Sequence, residues 1–231
     1  MGNTVWSNMR ASALRILTVI LLGSAITQAH AVYVYDNTIN DQVSRLSAVD
    51  NLKFGDEVTL GANYPANPMM THFEFEYWAI NTTDLTVDVE LRLNDGTPNN
   101  GYATPGTILY SYYGCALSDT ERSTLNFDAG LDFAPSGIYL PGDTLTLCLT
   151  FHFTTGSAGV DLYDPPTEGS SYIDYWQYDN FGNIWQLTTN NVFGTVNFGM
   201  RIEAVPEPSV FALFALGGLG AFGLRRLLRR S

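Results

Sequence analysis

Strict two-residue alternation through the middle of the chain leaves little room for anything but β-structure. Leu85, Val87, Val89, Leu91 and Leu93 alternate with Thr86, Asp88, Glu90 and Arg92. Successive strand side chains point to opposite faces, so one face of this segment meets a core and the other meets water. Phe73, Phe75 and Tyr77 alternate in the same way with His72, Glu74, Glu76 and Trp78. Leu145, Leu147, Leu149, Phe151 and Phe153 form a third stripe, with Thr146, Cys148, Thr150 and His152 between them. No segment sustains an apolar period of 3.6. Shorter strands are expected at 31–35, 58–61, 107–113, 138–140, 184–187 and 196–202. Turn signals stand at Phe-Gly-Asp (54–56), Asn-Asp-Gly (94–96), Pro-Gly (105–106), Pro-Ser-Gly (135–137) and Pro-Gly-Asp (141–143). Short strands joined by Gly, Pro, Asn and Asp loops predict an all-β fold, a two-sheet sandwich for which a jelly roll is the favoured topology. An immunoglobulin-type sandwich is the alternative, but no Trp lies between Cys115 and Cys148.

Both ends read as processing signals. Arg10 and Arg15 precede the apolar stretch 16–26, and Ala29-His30-Ala31 is a small-x-small cleavage site. Residues 1–31 are therefore expected to be a signal peptide whose helix signal peptidase removes, leaving Val32 first. At the other end, Val205-Pro206-Glu207-Pro208 leads into an apolar run from Ser209 to Leu224, and Arg225, Arg226, Arg229 and Arg230 follow. The fifteen residues from Val210 to Leu224 reach about 23 Å as a helix, a short transmembrane span whose arginines stay cytoplasmic. The order Pro-Glu-Pro, hydrophobic helix, arginine cluster resembles the PEP-CTERM sorting signal. That resemblance implies an exported protein of a Gram-negative bacterium, held first in the inner membrane. A membrane-embedded exosortase would then process it and leave it at the cell surface or in extracellular polysaccharide. The division expected is signal peptide 1–31, exported domain 32–203 and sorting signal 204–231, with the transmembrane segment at 209–224. A tail that is never cut, serving as a permanent anchor, is the other reading.

Residues 32–203 hold five of the 11 basic residues and all 23 acidic ones except Glu207, a formal charge near −17. Such a field argues against nucleic acid and anionic lipid as partners and favours solubility outside the cell. The two cysteines, Cys115 and Cys148, both fall in this domain. An oxidising compartment makes a disulfide between them the expected state, worth about 2–4 kcal/mol.

Three groups of residues invite a functional reading. Tyr163, Tyr172, Trp176 and Tyr178, with Asp174, combine flat rings for sugar faces with carboxylates for sugar hydroxyls, the equipment of a carbohydrate-binding module. The plainer reading is that the rings cover the open end of the sandwich. Asp161 and Asp164, with Glu168 nearby, supply oxygen ligands for a structural calcium ion, although no EF-hand order of ligands is present. Glu74 and Glu76, two apart on one strand face beside Trp78, offer the paired carboxylates of glycoside hydrolysis. That strand slightly resembles the Glu-x-Asp-x-x-Glu strand of jelly-roll glucanases, but Glu76 stands in place of the Asp and Ala79 and Ile80 where the third carboxylate belongs. His72 and His152 are too few for a three-histidine zinc site, and neither a Gly-x-Ser-x-Gly elbow nor a phosphate loop occurs. The expectation is a non-enzymatic surface or polysaccharide-associated protein without a cofactor other than structural calcium.

Overall fold

A computed structural model of the chain describes residues 30–62, 64–65, 67–189 and 194–206. The expected signal-peptide and C-terminal helices fall outside them; among the described residues no helix is long and apolar enough to cross a membrane. These residues form fourteen strands, numbered in chain order, in two antiparallel sheets. The first sheet runs β1 (Val32–Asp36), β14 (Met200–Pro206), β4 (Pro68–Thr83), β10 (Thr155–Tyr163) and β2 (Asp41–Ser47), with β7 (Ser123–Asp128) and β8 (Ile138–Tyr139) also paired to β4. The second runs β13 (Ile184–Thr188), β12 (Tyr175–Asp179), β3 (Lys53–Thr59), β9 (Thr144–His152), β5 (Thr86–Leu93) and β6 (Ile108–Ala116), and β11 (Ser170–Ser171) joins β3.

The three alternating stripes meet between the sheets. Phe73, Phe75 and Tyr77 of β4 face Val87, Val89 and Leu91 of β5 and Leu145, Leu147, Leu149 and Phe151 of β9 in one buried cluster. Each such side chain contributes about 1.5–3 kcal/mol on burial. Phe73 stacks on Phe127 at 4.6 Å between ring centroids, and Tyr110 meets it edge-on at 5.5 Å, the two geometries aromatic quadrupoles prefer.

Two expectations about local structure change. Phe-Gly-Asp at 54–56 is not a turn but the middle of β3, and Gly55 is there for packing. A Cβ at Gly55 would lie 2.8 Å from both the Leu147 carbonyl and Thr146 Cγ2 and 3.1 Å from Cys148 Sγ; glycine inside a strand marks such a close approach. Strands β2, β7 and β10 lie where little alternation is visible. In β10 the inward residues Ala158, Val160 and Leu162 are buried, but Gly156, Ser157 and Gly159 dilute the pattern.

On the outer face of the first sheet, His72 Nδ1 lies 2.8 Å from Asp128 Oδ1 and its Nε2 lies 3.3 Å from Glu74 Oε2. Burial pushes the imidazole pKa down, but the two carboxylates outweigh it and hold it above 6.5. The folded state therefore binds the proton more tightly than the unfolded one. The resulting stability is fully present below pH 6.5 and is lost as pH rises through the folded pKa. In urea titrations the midpoint difference between wild type and His72→Gln should be larger near about pH 5.5 than near about pH 8.5.

Candidate functional site

Trp176 and Tyr178 lie in the β12–β13 hairpin, whose two faces differ. Trp176 and Trp185 form a second apolar cluster with Cys148 on the outer face of the second sheet. Trp176 sits opposite Gly55 and packs with Cys148 and Trp185. The indole Nε1 donates to Glu57 Oε2 at 2.9 Å. Arg92 lies over the Trp185 ring at 6.0 Å, and Asn99 donates to the Trp185 carbonyl. The hairpin is thus tied across β3, β9 and the loop after β5.

This arrangement corrects the glycan platform. Trp176 is 0% exposed and Tyr163 3% exposed, so neither ring can lie on a sugar. Tyr178 packs edge-on against Trp185 at 5.0 Å. Tyr172 is exposed and Asp174 half-buried, while Tyr163 belongs to the other sheet. The five residues do not converge. The hairpin shows to solvent a groove of about 240 Å3 lined by Leu52, Gln177, Tyr178, Asp179, Phe181 and Gln186, in which Gln177, Asp179 and Gln186 come from the face opposite Trp176. Gln177 and Gln186 are cross-strand partners, and Phe181 stands fully exposed at the tip. Strand parity, which the number of rings does not reveal, decides which rings are covered.

Asp161 is corrected as a calcium ligand. Its carboxylate is fully buried and clamped by two guanidinium groups, Arg45 Nε at 3.1 Å and Arg122 Nε at 3.4 Å. Two positive charges at that range occupy the position a cation would need. Asp164 instead accepts from Asn197 Nδ2 at 2.8 Å, in a different cluster. Glu74 and Glu76 do share the outer face of β4, yet both are committed to partners. Arg201 Nη1 lies 3.3 Å from Glu74, and Tyr163 Oη donates to Glu76 at 2.5 Å with Arg122 Nε at 3.6 Å. Burial raises the pKa of Glu76 and of the Tyr163 phenol. Arg45 completes the layer by covering Trp78 at 5.4 Å.

The expected disulfide is absent. Cys115 pairs with the inward residue Val87, and Cys148 with the outward residue Glu90. Paired residues share a sheet face, so the thiols lie on opposite faces of the second sheet and both are free. Burial pushes the Cys148 thiol up to about 12, which makes it inert. Unfolding under non-reducing conditions should expose two titratable thiols per chain, and dithiothreitol should leave the melting temperature unchanged.

The last strand leads directly to the C-terminal tail. Ala204, Val205 and Pro206 pair with Met70, Met69 and Pro68, so β14 continues three residues past Glu203. Residues 204–230 match the family model of the PEP-CTERM protein-sorting motif. The tail is a PEP-CTERM sorting signal. It is the C-terminal signal of exosortase substrates and implies an exported, membrane-passing protein with exosortase as its processing partner. Val205 and Pro206 thus belong to the motif and to the sandwich at once, whereas Glu207, Pro208 and the four arginines lie outside the described residues. No curated protein matches the chain. A solved structure described as "Structure of infectious bursal disease virus Gx strain" is similar at 10% identity and a TM-score of 0.25, covering 79% of this chain and 37% of that one.

Proposed function

We propose that this chain is a non-enzymatic protein of the cell surface or extracellular polysaccharide. Signal peptidase removes residues 1–31, the segment 209–224 holds the precursor in the inner membrane, and exosortase cuts the PEP-CTERM tail. The observation that carries this reading is the match of residues 204–230 to the sorting motif, which begins in the last strand of the sandwich. From Pro206 to Ser209 the chain spans at most about 10 Å, so the precursor presents the β14 end of the domain to the membrane. The commitment of Glu74, Glu76 and Asp161 to ion pairs and hydrogen bonds supports a structural role for those carboxylates. The order β1-β14-β4-β7 opposite β3-β9-β5-β6 supports a jelly-roll topology.

Replacing Pro206, Glu207 and Pro208 together with Ala should leave full-length precursor in the inner membrane fraction, detected by intact mass and terminal peptides. Unchanged processing and localisation would refute the assignment. A second reading, binding of a glycan, is favoured by the amide-lined groove rather than by the buried tryptophans. It predicts that Phe181→Ala and Gln186→Ala weaken retention on the host's polysaccharide, while Tyr172→Ala does not.

A further inference from the structure

Asp56 interrupts the inward face of β3 between Phe54 and Val58, and it is 0% exposed. Burying a carboxylate demands compensation. Asp161 has two arginines, but the partners of Asp56 are neutral: Phe198 N at 2.8 Å and Ser171 Oγ at 3.0 Å. Around it the chain gathers further oxygens. Asn37, 1% exposed, donates its amide Nδ2 to the carbonyls of Tyr163 and Phe198, both at 3.0 Å. Those two bonds fix the amide orientation and leave Oδ1 buried with no hydrogen-bond partner. Asn197, also 1% exposed, donates Nδ2 to Asp164 Oδ1, and its Oδ1 is likewise without a partner. The Tyr35 hydroxyl is also buried without a hydrogen-bond partner, and its pKa is raised well above 10, by burial first and also by the charges of Asp56 and Asp164.

We propose that Asp56, Asp164, Asn37 Oδ1 and Asn197 Oδ1 form a binding site for a hard divalent cation of the calcium class. The four residues come from β3 and from three connections: the segment after β1, the segment after β10 and the approach to β14. Serine and backbone N–H groups already hold Asp56, and an amide holds Asp164, so both carboxylates are oriented in advance. Two unpartnered amide oxygens are the neutral ligands calcium accepts alongside carboxylates. Two negative charges match one divalent ion, and the half-buried Asp164 provides the entry. The segment 164–171, which crosses from the first sheet to β11, would be pinned by the ion at its start.

The test uses the full chain, purified in detergent and stripped with EDTA. Titration with CaCl2 should show one saturable site, and CaCl2 should raise the melting temperature by several degrees more than MgCl2 does. Asp56→Asn and Asn197→Leu should each weaken calcium binding at least tenfold and abolish the shift. Asp164→Asn, at a half-buried position, supplies the same reading if Asp56→Asn does not fold. Asp179→Asn on the hairpin surface should retain both effects. Superimposable melts with CaCl2 and EDTA would overturn the proposal. So would a calcium shift that persists in the Asp164 and Asn197 variants, because the ion would then be held by the acidic surface.

Discussion

Trp176→Ala should destabilise the domain by about 3–5 kcal/mol, lowering the melting temperature on the order of 10 °C. The indole is fully buried, and it bridges three strands of different origin: its own β12, Glu57 of β3 and Cys148 of β9. Its removal leaves a cavity between the hairpin and the sheet and takes the indole donor away from Glu57. The hairpin should lose protection first, seen as faster amide exchange across 175–188 than in β4 or β9. Tyr172→Ala, at an exposed ring, should stay within about 0.5 kcal/mol of wild type. If the two variants melted alike, the covering role of the hairpin would be wrong.

Arg45→Met with Arg122→Met should cost about 3–5 kcal/mol, more than Asp161→Asn at about 1–3 kcal/mol. The order follows from where the charges sit. Asp161 is completely buried, whereas the side chains of Arg45 and Arg122 are 34% and 41% exposed. Removing the arginines strands a carboxylate that water cannot reach. Removing the carboxylate frees guanidinium groups that can rehydrate, with Arg45 still packed over Trp78. Urea midpoints of the variants test the order, and the reverse would mean that the arginines suffer the larger desolvation.

Much of the sandwich is legible in the residues because its core strands obey a single constraint. β4, β5 and β9 each need one wet and one dry face, and the alternation of Phe73 to Tyr77, Leu85 to Leu93 and Leu145 to Phe151 records it. The Pro-Glu-Pro, apolar run and arginine order of the tail is equally local, since a sorting enzyme reads it as a linear signal. The candidate site is different. Glu74 and Glu76 were visible as a same-face pair, but the commitment of each to Arg201, Arg122 and Tyr163 depends on strands more than eighty residues away, apart from Arg122. Trp176 looks like a platform in a list of aromatics, yet Cys148 and Trp185 on other strands turn it into core.

The sequence by itself determined the periodicity of the main strands, the acidic surface charge and the linear signals, because each depends on neighbours along the chain. Which face each residue shares, and with whom, was decided by the tertiary structure alone. Cys115 and Cys148 are separated by a sheet rather than joined by a bridge because register and strand parity place them on opposite sides. Asp161 lies in an arginine cage while Asp56 is held by two neutral donors, Phe198 N and Ser171 Oγ, for the same reason. Charge compensation is a property of three-dimensional distance, and distance across a sandwich is set by pairings between segments far apart in the chain.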